Sequence, residues 1–227
     1  GIVIFEGAQG VLIDEWHGFH PYTTWSTTTP ENARTLLEEA AYGGDVTTLG
    51  LVRAYATRHG PGPFVTEDAE LTRLIHDAHN GMNDWQREFR IGTFDCVAIR
   101  YALSVSKDVD ALVVTNVDRI ADFPNFGICN AYRSAGPSKD VSELFETNPD
   151  GTIRDIIPQW SHDLARQARL TAHLSACAPV HTICTIPSGY LAYIEEALGV
   201  PIRLLSRGPT ARDKSLFASV LTPRVSA

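Results

Sequence analysis

The chain has 227 residues, of which 44% are hydrophobic, so it can bury one substantial core, and we predict a single unit over residues 1–227. Nineteen basic against 27 acidic residues give a formal net charge of −8, which disfavours nonspecific binding to nucleic acid or anionic membranes. No segment reaches the roughly 18 apolar residues of a membrane span. Four cysteines, far apart or in apolar runs, are typical of reduced thiols, so we expect a soluble, cytoplasmic protein.

The first residues form an apolar run. Residues 2–5 read Ile-Val-Ile-Phe, which predicts a buried strand, and because the chain opens on it without methionine we expect a sequence cut from a longer one. Residues 6–10 follow as a glycine-flanked turn, whose backbone can approach a ligand closely. In open α/β sheets, ligands bind where strands end in this way.

Helical and strand patterns alternate along the rest of the chain. We predict helices over residues 30–42, 71–78, 95–103, 160–176 and 190–198, and strands over 49–56, 109–114, 180–186 and 201–205. Residues 58–64 hold two prolines and two glycines and predict a shaped loop, while residues 134–152 predict a surface excursion. The alternation favours an α/β fold with a mostly parallel sheet flanked by helices.

Polar side chains cluster after the predicted strands, and each cluster has two interpretations. Gln9 and the Thr-rich segment around Thr24 offer amides and hydroxyls for a phosphate or ribose, or form an ordinary turn and helix cap. Arg87 and Arg90 suit a dicarboxylate, or lie in a solvated surface loop. Asp118 can accept hydrogen bonds from a guanine, or cap a helix.

Three groups of histidines and cysteines raise the question of a metal site. They are His17 with His20, His76 with His79, and Cys177 with His181 and Cys184. None has the four-ligand spacing of a structural zinc site, so we predict no transition-metal site.

Read together and in order, the motifs resemble those of adenylosuccinate synthetase over nearly the whole chain. They are Phe5-Glu6-Gly7-Ala8-Gln9-Gly10, His17-Gly18, Pro21, Thr24, Ala54-Tyr55-Ala56-Thr57-Arg58, Gly60, Gly62-Pro63-Phe64, Thr66-Glu67, Arg90, Gly92, Phe94-Asp95, Val97-Ala98, Arg100, Thr115, Asp118, Gly199-Val200-Pro201 and Gly208-Pro209. The resemblance implies part of a P-loop-NTPase-like fold, corresponding to the C-terminal half of that enzyme. It also implies homodimerisation.

The activity implied by the resemblance is a ligase reaction of purine biosynthesis. A phosphoryl group passes from GTP to the purine O6 of IMP, with Mg²⁺ present, and the amine of aspartate then displaces it. The resemblance assigns Gln9 and Thr24 to IMP, and Arg87 to the amino acid and ribose, with Arg58 in the wall of that pocket. For the guanine nucleotide the implied residues are Asn116, Asp118, Ser206, Gly208 and Pro209.

The sequence departs from the family pattern at several points. The family's phosphate loop, catalytic aspartate and catalytic histidine have no counterpart here, so we do not expect the isolated chain to catalyse. Glu88 and Phe89 stand where the family has arginines, and Asn116 stands where it has lysine, which makes ATP or another acceptor or amine an alternative. A further alternative is a non-catalytic nucleotide-binding subunit that works beside a complementary chain carrying the phosphate loop.

Overall fold

The structure is a computed structural model that describes residues 1–75, 80–82, 84, 87–122, 126–135, 138–184, 187–219 and 221. Its strands are β1 (Leu49–Arg53), β2 (Ala56–His59), β3 (Phe89–Gly92), β4 (Phe94–Asp95), β5 (Ala111–Thr115), β6 (Phe126–Ser134), β7 (Phe145–Thr147), β8 (Ile153–Ile156), β9 (Cys177–Cys184), β10 (Ile202–Ser206) and β11 (Lys214–Leu216). Its α-helices are α1 (Glu31–Glu39), α2 (Ala69–Leu74), α3 (Cys96–Ser106), α4 (Ser138–Leu144), α5 (Leu164–Leu174) and α6 (Pro187–Leu198). His76, His79, Trp85 and Gln86 lie outside the described residues.

The first sheet has the order β1-β5-β10-β11. Its first three strands are parallel, and β11 joins antiparallel. Residues 111–114 of β5 are buried, as expected for a strand covered on both faces. The core of this sheet includes residues of α3 and α6, such as Cys96, Tyr190 and Ile194. The α/β class predicted from the sequence is therefore confirmed.

The remaining strands form mixed and antiparallel sheets. Strands β2 and β3 pair antiparallel, and a further sheet has the order β4-β6-β8-β7 with β9 pairing β6. Among the described strand pairs of that sheet, β4–β6 is parallel and the others are antiparallel. The expected parallel arrangement thus describes the first sheet, and the architecture as a whole is an α/β fold with mixed sheets.

Local sequence signals set the ends of several helices. Asp68, Asp95 and Asp163 stand at the N-caps of α2, α3 and α5, and each carboxylate accepts a backbone N–H from the first turn. Gly199, with φ of 64°, follows α6 and takes the left-handed conformation that often ends a helix. None of the described helices is long and apolar enough to cross a membrane.

Three sequence expectations are wrong. The shaped loop predicted over residues 58–64 begins later, because Arg58 and His59 belong to β2. Residues 2–5 form no strand, and the side chains of Ile2 and Ile4 are 91% and 84% exposed, because no described strand hydrogen-bonds to this segment. The surface excursion over residues 134–152 contains α4 and β7, and Leu144 and Phe145 are buried in a second core cluster with α3 and α5.

Candidate functional site

The three parallel strands of the first sheet end at one edge, and the segments that leave this edge carry some of the predicted site residues, namely Arg58, Asn116, Asp118, Ser206, Gly208 and Pro209. Leu205 of β10 and Val52 of β1 both pair with Val114 of β5, so the three carboxyl ends lie side by side. Residues 54–55 lead from β1 directly into β2, and a short 3-10 helix, Val117–Asp122, follows β5. Such an edge is where open α/β sheets bind ligands.

Gln9 and the segment around Thr24 are brought together. The Thr24 backbone N–H donates to the Ile13 carbonyl at 2.7 Å, and the Ser26 hydroxyl donates to Oε1 of Gln9 at 3.0 Å. Beneath them lies the carboxylate of Asp14, which is 1% exposed and accepts backbone N–H groups from both sides of the turn, including that of Thr28 at 2.7 Å. A buried aspartate of this kind organises the loop, a role that its residue type and position in the sequence do not reveal.

Arg58 lies on β2, directly opposite Arg90 of β3, and is 8% exposed. Its Nε donates to the Pro61 carbonyl at 3.0 Å and its Nη2 to the Tyr22 carbonyl at 3.3 Å, so its partners among the described residues are neutral. Burial and the positive charge of Arg90 lower the pKa of Arg58 to about 10. Because Tyr22 stands two residues before Thr24, this contact joins Arg58 to the Gln9 and Thr24 loops.

Arg90 holds the glycine-rich loop after β2. Its Nη2 donates to the carbonyls of Gly60 and Gly62 at 2.7 and 3.0 Å, and its Nη1 pairs with the Glu67 carboxylate at 2.6 Å. The Arg90 guanidinium also lies 5.5 Å from the ring centroid of Phe64. The sequence suggested Arg90 as part of a dicarboxylate clamp, whereas its donors are already engaged in shaping this loop.

Arg87 borders a cavity of about 600 Å³ next to this loop. The lining residues are Gly60, Pro61, Met82, Asp84, Arg87, Glu88 and Arg90. Phe89 does not face it with Arg90, because side chains alternate along a strand, and its ring instead packs against His59 at 5.0 Å and below Arg53 at 5.8 Å. Phe89 thus contributes to packing, and Glu88 brings a negative charge to the cavity wall.

The predicted nucleotide residues follow β5 and β10. Asn116 has φ of 57°, and Asp118 lies in the first turn of the 3-10 helix with a side chain that is 43% exposed. The Ser206 hydroxyl donates to the Gly208 carbonyl at 3.2 Å, and Nζ of Lys214 donates to the same carbonyl at 2.6 Å.

This second group is held by a local cap. The Asp213 carboxylate accepts both the backbone N–H and the hydroxyl of Thr210, at 2.7 Å each, and so fixes the loop that contains Pro209. A Cβ on Gly208 would lie 2.8 Å from Cγ of Asp213, so the close turn needs glycine there. The 3-10 helix with Asp118 contacts β10, which brings the two loops of this group to the same end of the sheet.

The candidate metal-ligating side chains do not form a cluster in the described part of the chain. Within the described ranges, no three His, Cys, Asp or Glu side chains come together as a metal site. This finding concerns sites built from protein ligands alone, because Mg²⁺ is usually held by one or two carboxylates together with substrate phosphates and water. His17 instead packs edge-on against Trp160, and burial lowers its pKa.

Fold and site together define an α/β protein with two polar loop groups, one at the carboxyl ends of β5 and β10 and one around Gln9, Thr24 and Arg58. Comparison with known proteins places it more closely: residues 1–215 match the adenylosuccinate synthetase family. The chain is 31% identical over 230 residues to adenylosuccinate synthetase from Bdellovibrio bacteriovorus, covering 96% of this chain and 49% of that one. It is 34% identical over 213 residues to the enzyme from Chromohalobacter salexigens, covering 93% and 47%. The chain belongs to the adenylosuccinate synthetase family.

A solved structure supports the same fold. The fully ligated adenylosuccinate synthetase from Plasmodium falciparum superimposes with a TM-score of 0.66 at 19% identity, covering 93% of this chain and 49% of that one. The chain thus spans about half the length of the relatives that it matches. The sequence-based identification of the family is confirmed.

Proposed function

We propose that this chain is the part of an adenylosuccinate synthetase that binds the purine nucleotide acceptor and the amino acid in the GTP-dependent coupling of aspartate to IMP. The observation that carries the proposal is the continuous set of contacts from Gln9 through Ser26 to the Thr24 loop, and from Tyr22 to Arg58. Arg58 also donates to the carbonyl of Pro61, which lines the cavity that Arg87 borders, and β2, which carries Arg58, follows β1 after two residues.

The chemistry of the residues suits the proposed ligands. The Gln9 amide both donates and accepts hydrogen bonds, so it can orient the oxo edge of a purine without changing its protonation state. Arg58 is a buried cation with neutral partners, so its charge favours a nearby anion such as a phosphate or carboxylate, whereas Arg90 is paired with Glu67. Thr24 adds a neutral hydroxyl. In this proposal, these groups bind and position the reactants and perform no proton transfer.

The second loop group is proposed to hold the base of the nucleoside triphosphate. Asp118 presents a partly exposed carboxylate that can accept the N1 and exocyclic amine protons of guanine. Ser206, Gly208 and Pro209 lie on the neighbouring strand end, and Asn116 precedes the 3-10 helix. Mg²⁺ and the phosphates belong to the proposed reaction, but no described residue of this chain is proposed to hold them.

Binding of IMP tests the acceptor site directly. Titration calorimetry with IMP should give saturable binding to the chain, and Thr24→Ala should weaken it about two- to tenfold, the value of one lost hydrogen bond. Thr35→Ala is a matched control, because the Thr35 hydroxyl bonds only to the Glu31 carbonyl within its own helix. Equal affinities for the two variants would remove Thr24 from the site, and absence of IMP binding would contradict the proposal.

A diverged ligase that uses ATP, another acceptor or another amine is the second candidate. It is favoured by Glu88, which places a carboxylate in the wall of the cavity proposed for the amino acid. A phosphate-release assay, with the chain supplemented by the remaining half of a family enzyme, separates the candidates. Release that requires GTP, IMP and aspartate together supports the first, whereas release with ATP or with a different amine supports the second.

A non-catalytic nucleotide-binding subunit is the remaining candidate, and a homodimer or a complementary chain with a phosphate loop is its proposed partner. IMP binding without phosphate release in any of these mixtures would favour it.

A further inference from the structure

Trp25 is the most exposed large apolar side chain of the described residues, with 97% of its surface accessible. Tryptophan side chains are highly buried on average in folded proteins. The other tryptophans of the described residues have ring or cation partners: Trp16 stacks on His162, and Trp160 lies against His17 and beneath Lys107. Trp25 has no such partner within the described part of the chain.

The backbone that carries Trp25 is held on both sides. The Thr24 N–H bonds to the Ile13 carbonyl at 2.7 Å, and the Ser26 carbonyl accepts the Glu15 N–H at 3.2 Å. Two residues further on, the Thr28 N–H donates to the buried carboxylate of Asp14. The indole therefore extends from a fixed backbone segment, so binding a ligand would need to order only its two side-chain torsions.

Trp25 is adjacent in sequence to residues of the proposed acceptor site. It stands between Thr24 and Ser26, and the Ser26 hydroxyl bonds to Gln9 at 3.0 Å. Both Gln9 and Thr24 belong to the acceptor site proposed above. The polar groups there can recognise the edge of a base and its phosphate, but neither offers an apolar surface for the base plane.

We propose that the indole of Trp25 stacks on the purine ring of the nucleotide held by Gln9 and Thr24, an inference that rests on the proposed function. Stacking occurs on the face of any purine ring and does not distinguish the substituents at its edge. Trp25 therefore raises affinity for purine 5′-monophosphates in general, while the Gln9 amide distinguishes their edges. A ligand that lacks a base gains no affinity from Trp25.

Calorimetric titration of the 227-residue chain tests this with IMP, GMP and ribose 5-phosphate. Trp25→Ser should weaken IMP and GMP about tenfold each and leave ribose 5-phosphate unchanged, whereas Trp25→Phe should retain most of the affinity. Trp160→Phe is the control for loss of an exposed tryptophan elsewhere. Circular dichroism of Trp25→Ser should match wild type, since an exposed side chain adds little to the core.

The outcomes separate the two claims. If wild type binds IMP and Trp25→Ser binds it equally well, stacking is overturned and the acceptor site stands. A loss that is equal for ribose 5-phosphate also overturns it, because the effect would then not involve the base. If wild type binds none of the three ligands, the proposed function itself fails, and the stacking inference fails with it.

Discussion

At the scale of single residues, Gly62 controls how Arg58 is held. Its φ is +110°, a region that side-chain-bearing residues rarely adopt. A Cβ at this position would also lie 2.3 Å from Nη2 of Arg58 and 2.9 Å from Cβ of Tyr22. Nη2 is the atom that bonds to the Tyr22 carbonyl. The absence of a side chain at residue 62 therefore lets the Arg58 guanidinium reach the loop that carries Tyr22 and Thr24.

Gly62→Ala should therefore damage both folding and binding. We expect a loss of about 1–3 kcal/mol in the free energy of unfolding, measured by urea denaturation, and weaker IMP binding because Arg58 is displaced. Gly151→Ala is the matched control, since Gly151 has φ of +82° but nothing within 4 Å of the added Cβ. Equal stability losses, with unchanged IMP affinity in both variants, would show that the contact with Arg58 is unimportant.

Asn116 illustrates what a sequence leaves out at this scale. By the resemblance, it stands where the family has lysine, and residue type alone offers only the difference between the two side chains. The structure adds a backbone reason: φ is +57°, and asparagine is enriched several-fold among side-chain-bearing residues there. A backbone angle depends on the path imposed by the strand before it and the 3-10 helix after it, so residue type alone does not reveal it.

At the scale of elements, α3 begins at a buried carboxylate. Asp95 is 5% exposed and accepts the Ala98 N–H at 3.0 Å and the hydroxyl of Tyr132, which lies 2.6 to 2.7 Å from its two oxygens. Burial raises the pKa of Asp95 from 3.8 to about 6, and the hydrogen bonds from Ala98 and Tyr132 oppose this rise only in part. The cap therefore couples α3 to β6 in a way that depends on pH.

The sign of that dependence follows from proton linkage. The folded protein holds the Asp95 proton more tightly than the unfolded chain does, so the stabilising contribution is complete below about pH 4 and is lost as pH rises through about 6. Relative to Asp95→Asn, the free energy of unfolding of wild type should fall by up to roughly 3 kcal/mol from pH 4 to pH 7. Denaturant titrations of both proteins at four pH values measure this.

Asp163→Asn supplies the control for an aspartate-to-asparagine change at a helix N-cap, because Asp163 caps α5 at an exposed position. A wild-type minus Asp95→Asn difference that stays constant with pH would mean that the carboxyl does not titrate between folded and unfolded states as described.

The same scale shows why some elements were predictable and others were not. Helices α3, α5 and α6 carry their own signals, and so does the buried strand β5, all of which the sequence located. The run over residues 2–5 has the composition of a strand, but a strand also needs a hydrogen-bonding neighbour, and composition does not supply one. The β6–β9 pairing joins residues about 50 positions apart, so its antiparallel direction was not visible in the local pattern.

At the scale of the whole molecule, both the order of the motifs and the contacts in the structure were needed to assemble the candidate site. Motif order identified the family and the loops, and the structure supplied the contacts that join them, such as Arg58 to Tyr22 and Ser26 to Gln9. Those contacts cross 36 and 17 residues. Arg90 and Phe89 show what motif order alone does not give. They are neighbours in sequence, but on β3 Arg90 faces the glycine-rich loop and Phe89 faces the core.

The two edges of the first sheet differ in how they are protected. On β1, Leu49 and Leu51 project to one face and are 50% and 71% exposed. On β11, at the other edge, Leu216 is 85% exposed, but this strand has only three residues against five in β1. A longer apolar edge is a template for pairing with another chain, whereas a short one resists it.

We therefore expect the 227-residue chain to self-associate through the β1 edge as its concentration rises. Leu51→Lys should shift the measured mass toward monomer in size-exclusion chromatography with light scattering, because a charged edge strand disfavours pairing. Leu216→Lys makes the same change on β11 and should leave association near the wild-type level. Equal suppression by both substitutions would indicate a general effect of charge, and a monomeric wild type at every concentration would show that the exposed leucines of β1 do not drive association.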